Sequence, residues 1–196
     1  MGETRVILER QERREPEATR ARPPAEDRDE HTAELSKDQQ GIWVMLLDNI
    51  RSAWNVGSML RSADGFGFRH AYLCGITPTP DNEAVTKTSL GAEDSVPWSY
   101  HKDAVRLLGG LKAEGWSAYA LEDEPNAIEI SRAYRVANKA HHKVLIVGNE
   151  LAGVDPGLLE LCEAIFYIPM QGMKKSFNVA IALSVAAFAL RATDLE

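Results

Sequence analysis

Two groups of polar residues stand out by type and spacing. Asn55 and Arg61 are close enough in sequence to lie on nearby parts of one helix. An arginine presents a planar, permanently charged fork suited to phosphate, and an asparagine beside it can fix the direction of that fork. On spacing alone, the commoner meaning is an N-cap at Asn55 followed by a solvated arginine. The second group lies in the last third of the chain. Glu150 follows Gly148 just past an apolar run, where a carboxylate can orient an arginine or a substrate hydroxyl. It can equally complement the dipole of the helix that Pro156 opens. Ser176 and Asn178 precede a long apolar helical pattern. With the exposed N–H groups of the first turn they can hold a polar ligand, although Ser176 acting as a plain cap is the commoner arrangement. Lys174 and Lys175 stand beside them, placed to meet phosphate or simply to be solvated. The sequence shows no Ser-His-Asp order, no Walker-type glycine loop and no metal-ligand spacing. GFGFRH is not a dinucleotide fingerprint, because it follows a helix and precedes a strand.

The elements that must carry these groups read as α/β. The apolar runs 144–147 and 164–168 each end in a polar loop, as buried strands do when they deliver a site at their C-terminal ends. Residues 42–48 make another such run, and a helix capped by Asn55 ends at the Gly65 and Gly67 pair. A strand at 71–74 completes a β-α-β unit, whose crossover should be right-handed. Residues 75–100 read as an irregular excursion with at most one short helix. Next come an amphipathic helix over 102–114, a strand over 116–121 closed by Glu122, Asp123 and Glu124, and a short crossover around Ile128, Ile130 and Tyr134.

At 196 residues the chain suits one domain preceded by a tail: a charged, flexible extension over 1–40 and a folded unit over 41–196. The stretch 179–190 is too short for a membrane span and Ser184 interrupts it, while Arg and Glu crowd the N-terminus where a signal core would be. Cytoplasmic residence without a membrane partner is the expectation, with Cys74 and Cys162 as reduced core residues. The net charge of −7 speaks against a nucleic-acid partner, but part of the acidic excess lies in the tail and a local basic patch is compatible with it.

Placed together, the motifs resemble the SpoU/TrmH class of SPOUT methyltransferases. NVGSMLRSADGFG looks like its first motif, Asn-x-Gly-x-x-x-Arg; VLIVGNELAGV looks like its second, Gly-x-Glu-x-x-Gly; and IPMQGMKKSFNVAIALSVAAF looks like its third. KTSLGAEDSVPW resembles the segment between the first two, and the likeness runs over about 42–190. It implies a mostly parallel sheet with helices on both faces and a C-terminal deep trefoil knot. It also implies S-adenosylmethionine as cofactor without a metal, a homodimer through the knot region, and methyl transfer to a ribose 2′-hydroxyl of tRNA or rRNA.

By motif match, Asn55, Arg61, Glu150, Ser176 and Asn178 take the active-site positions. Gly148, Ile168 and Phe177 take cofactor-contact positions, with Met170 and Leu121 lining the same pocket. Arg51, Lys174 and Lys175 are the candidate RNA contacts. Phe177 replaces the usual leucine, which keeps the apolar character of the wall, and Ala180 and Ala182 replace small polar or glycine residues of the last helix. Asn55 and Glu150 are expected to orient Arg61 and the ribose, and Arg61 to act either as base or as stabiliser of the developing alkoxide. The minimal architecture leans towards tRNA. The competing reading is a non-catalytic RNA-binding module that keeps the knot; an oxidoreductase reading lacks the strand-GxGxxG-helix unit.

Overall fold

Strand β1 (Ile42–Asp48) is buried along its whole length, which is why it reads as an unbroken apolar run rather than an alternating one. Alternation still sorts its side chains. Trp43, Met45 and Leu47 enter one hydrophobic cluster, and Ile42, Val44 and Leu46 enter the other, on the opposite face of the sheet. The computed structural model describes residues 41–137 and 139–191. The extension expected over 1–40 lies outside the described residues.

Around β1 the sheet grows in both directions. β2 (Ala71–Cys74) pairs with it on one side and carries β3 (Trp98–His101) at the edge. β6 (His142–Val147) pairs with it on the other side. Beyond β6 come β4 (Ser117–Leu121), β7 (Ala164–Tyr167) and the two-residue β5 (Ile128–Glu129). The order is β3-β2-β1-β6-β4-β7-β5, and every pairing is parallel. The order reverses between β1 and β6, so their C-terminal ends open a crevice of the kind in which open α/β sheets hold ligands.

Helices cover both faces. On the first lie α1 (Ala53–Gly65), α2 (Glu83–Ser89), α3 (Ala92–Ser95), α5 (Ala133–Ala137), entered through a 3₁₀ turn, and α7 (Val179–Arg191). On the second lie α4 (Ala104–Ala113) and α6 (Pro156–Leu159). α1 and α2 approach so closely at Gly57 that a Cβ there would run into Thr88 Oγ1 and the Val85 carbonyl. This accounts for the glycine in the Asn55-Val56-Gly57 run.

Three expectations need correction. Residues 75–100 are not simply irregular: they contain α2, α3 and strand β3, which the pattern hid because it is four residues long, follows Pro97 and is exposed or half-exposed at Tyr100 and His101. Asn55 does not cap α1. The cap is Ser52, whose hydroxyl accepts from Asn55 N at 3.3 Å, which places Asn55 inside the first turn with its side chain available for other partners. Nor does Ser176 cap α7: Asn178 Oδ1 accepts from Ala180 N at 3.0 Å and Ile181 N at 3.4 Å, leaving Ser176 in the preceding loop.

Candidate active site

β6 leaves the sheet at Gly148, where a Cβ would strike the backbone of Gly153 and Val154, so only hydrogen fits. The following loop folds back on itself. Asn149 and Gly153 exchange backbone hydrogen bonds of 2.9 Å, and Asn149 Oδ1 accepts from Leu151 N at 2.9 Å and Ala152 N at 3.0 Å. Asn149 Nδ2 donates to the Asn49 carbonyl at 2.7 Å, fastening the loop to the exit of β1. From the other side, Glu122 at the end of β4 accepts from Val154 N at 2.9 Å. The loop is thus braced from both neighbouring strands, and Glu150 sits on its outer turn.

Glu150 faces the start of α1. Its carboxylate accepts from Arg51 N at 2.9 Å, Ser52 N at 3.2 Å and Asn55 Nδ2 at 2.9 Å. Partial burial alone would push its pKa up, but these donors outweigh burial and hold it below the ordinary glutamate value. Asn55 then continues the chain, its Oδ1 accepting from Asn178 Nδ2 at 3.1 Å. The amide orientations follow from the network itself. Asn178 has committed its oxygen to capping α7, so it must donate to Asn55, and Asn55 must in turn donate to the carboxylate. One line of hydrogen bonds, Glu150–Asn55–Asn178, joins the second-motif loop, α1 and α7.

Beside this line lies a cleft of about 420 Å³. Leu121, Gly148, Ile168, Met170 and Phe177, the five residues expected at the cofactor, all line it, together with Ser176 and Lys175. Glu122, Asp123 and Glu150 add three carboxylates against the one lysine, giving an apolar wall and an acidic rim. No group of three or more His, Cys, Asp or Glu placed to hold a metal occurs among the described residues.

Arg61 lies elsewhere. It is exposed and lines a second cleft of about 630 Å³ with Asn55, Ser58, Lys87, Thr88 and Asn178. No hydrogen bond or ion pair joins it to Asn55 or Glu150 among the described residues, the carboxylate being committed to the N-terminus of α1. Asn178 lines both clefts and forms the wall between them. Arg51 and Lys174 are exposed at the surface. The residues missed in sequence are among those that hold the site: Asn49, Ser52 and Glu122. Their one available signal is position, since each follows closely on the C-terminal end of a strand.

Burial removes the cysteines from consideration as nucleophiles. The Cys74 thiol is pushed well up by burial, and that of Cys162 is pushed up to about 12 for the same reason.

The profile of the SpoU rRNA Methylase family matches residues 43–188, a span that contains both clefts. The chain belongs to this family. Among its SpoU relatives, the 23S rRNA (guanosine(2553)-2′-O)-methyltransferase RlmP of Bacillus subtilis is 31% identical over 148 residues, which make up 76% of this chain and 57% of that one. A tRNA (guanosine(18)-2′-O)-methyltransferase of Thermus thermophilus is 28% identical over 167 residues, 85% of this chain and 83% of that one. In structure, the AdoMet-bound rRNA methyltransferase of Sinorhizobium meliloti superposes with a TM-score of 0.73 at 26% identity, covering 81% of this chain and 59% of that one. The SpoU-family chain therefore spans less than two thirds of the Bacillus and Sinorhizobium proteins and most of the Thermus one.

Proposed function

We propose that this chain transfers a methyl group from S-adenosylmethionine to a ribose 2′-hydroxyl of tRNA or rRNA. The observation that carries the reading is the adjacency of the two clefts across Asn178. One has the character of a cofactor pocket, and the other presents to a polyanion an arginine with no hydrogen-bond or ion-pair partner among the described residues.

The first cleft fits the cofactor. Leu121, Ile168, Met170 and Phe177 offer an apolar wall to a purine, and the backbone at Gly148 is approachable because no side chain stands there. The acidic rim suits a ligand with a sulfonium and an ammonium. When bound, S-adenosylmethionine supplies a methyl carbon made electrophilic by the positive sulfur. The protein's part is placement and charge. Asn178, held by Asn55 and by its own helix, sets the wall against which the ribose lies. Arg61 binds RNA phosphate and stabilises the alkoxide as the 2′-proton passes to solvent water; a guanidinium carries a permanent charge and so acts through that charge rather than as a base. Glu150 orients Asn55 and the start of α1. Lys174, Lys175 and Arg51 supply further phosphate contacts at the rims.

The same reading makes residues 41–196 the catalytic unit and 1–40 an accessory arm, and gives the C-terminal segment the knotted threading of the family. It also makes the chain a homodimer. Ile181, Val185 and Phe188 stand exposed at helical spacing along the outer side of α7, with Phe188 tilted against Phe66, a stripe suited to a second copy. No described helix is long and apolar enough to cross a membrane, and with an RNA substrate the reading is of a cytoplasmic enzyme.

Incubation with labelled S-adenosylmethionine and total RNA, followed by nucleoside digestion, tests the reading. A labelled 2′-O-methylnucleoside is expected, with tRNA the first fraction to examine. Cofactor binding with no labelled ribose in any RNA would reduce the chain to a non-catalytic RNA-binding module.

A further inference from the structure

Of the four tryptophans, Trp43, Trp98 and Trp116 are buried and Trp54 is 56% exposed. It stands in the first turn of α1, one residue before Asn55. Its backbone is firmly held: the Trp54 carbonyl accepts from Ser58 Oγ at 2.9 Å and from Thr88 Oγ1 at 3.2 Å. Residues at i, i+4 and i+7 share one side of a helix, so Trp54, Ser58 and Arg61 form a stripe about 10 Å long at 1.5 Å per residue. Two of the three line the second cleft, whose far wall is Asn178.

Charge complements the ring. Arg51, Arg61 and Lys87 are exposed around this stripe, in a protein whose net charge is −7. Lys87 pairs with Glu83 at 3.1 Å, but both side chains are well solvated, so the pair is weak and readily exchanged for phosphate. An aromatic face on a rigid turn, flanked by cations, binds unpaired nucleic acid by stacking one base and tracking its phosphates. A base within a duplex cannot reach such a ring, because its faces are covered by its neighbours.

Resting on the RNA reading above, we propose that Trp54 is a stacking shelf for an unpaired base next to the methylated nucleotide. Trp54 is a positioning residue: it sets which nucleotide reaches the wall at Asn178, and the substrate it favours is a loop or a single strand.

Trp54 reports on itself, because it is the one tryptophan that water reaches. The full-length protein is titrated with a short unstructured oligoribonucleotide while emission is followed. Quenching of the red, acrylamide-accessible component is expected, and Trp54→Phe should remove that signal while retaining most of the binding. Trp54→Ala should weaken oligonucleotide binding roughly tenfold, the scale of one lost base stack. In methyl transfer it should raise the KM for RNA with kcat and cofactor affinity near wild type, and Trp54→Tyr should restore the KM. Binding without quenching, or an unchanged KM in Trp54→Ala, would overturn the shelf while leaving methyl transfer standing. Emission that is already blue and acrylamide-shielded in the free protein, becoming exposed on dilution, would overturn it in favour of a contact between copies. Quenching without methyl transfer on any RNA would keep the shelf and remove the catalytic reading instead.

Discussion

The Asn55 side chain donates to Glu150 at 2.9 Å across 95 positions of sequence, and with its other end accepts from Asn178 at 3.1 Å. One amide therefore decides how the first-motif helix, the second-motif loop and the last helix sit relative to one another. Asn55→Ala removes both bonds, at a cost on the order of 1–2 kcal/mol. The larger effect should be on transfer, because Asn178 would lose its fixed place between the clefts. Thermal melts should fall by a few degrees while kcat drops at least roughly tenfold. A variant with wild-type kcat would detach this line of hydrogen bonds from the chemistry.

Glu150 makes stability depend on acid in a stated direction. Its folded pKa lies below the ordinary value because the backbone donors at Arg51 and Ser52, with the Asn55 amide, outweigh burial. A depressed carboxylate stabilises the fold above its unfolded pKa and loses that contribution as pH falls through the folded value. Urea midpoints of wild type and Glu150→Gln should therefore differ most near neutrality and converge below the ordinary glutamate range. A gap that stays constant down to strong acid would mean that the charge contributes nothing.

Arg61→Ala should leave cofactor affinity unchanged, since Arg61 does not line the first cleft. Turnover should fall by roughly a hundredfold or more, the scale seen when one stabilising donor at a developing oxyanion is removed. Calorimetry with the cofactor and single-turnover methyl transfer separate the two quantities. Near-normal turnover would remove Arg61 from the mechanism.

Gly148→Ala sets a methyl group against the backbone of Gly153 and Val154, neither of which can rotate aside. Destabilisation of about 1–3 kcal/mol is expected, together with weakened cofactor binding as the loop is driven outward. Differential scanning calorimetry with and without S-adenosylmethionine reads both effects. An unchanged cofactor-induced rise in Tm would show that the loop is not part of the pocket.

Phe188 is 61% exposed on α7 and tilts against Phe66. Phe188→Glu should raise the dimer dissociation constant by at least about tenfold, read by sedimentation velocity over a concentration series. Identical sedimentation of variant and wild type would place the contact between copies elsewhere.

The buried strands were legible because parallel strands covered on both faces leave unbroken apolar runs: 71–74 matches β2 residue for residue, and 164–168 overshoots β7 by one. β3 left no such trace, being short, marginal and half solvated. The two caps were misread for a shared reason. Ser52 and Asn55, like Ser176 and Asn178, are both competent caps a few residues apart, and residue type alone does not choose between them. Glu150 draws the Asn55 amide away from the helix end, while Asn178 reaches Asn55 without giving up its own cap. The motifs named the site residues, but no local pattern shows that Glu150 faces a helix N-terminus instead of Arg61. Glu122 read only as an acid closing a strand, although its carboxylate holds the Val154 amide.

The position of β6 has a bearing on how the molecule comes into being. This strand lies between β1 and β4 and pairs with both, so the two halves of the sheet are joined only by a segment that begins at His142. During synthesis, β1 and β4 leave the ribosome well before the strand that bridges them, each presenting a parallel edge with no neighbour. Closing such distant pairings is slow, and the waiting edges invite the wrong partner. A step exposed to misassembly, and one at which a chaperone would matter, is the insertion of β6 between two strands already made.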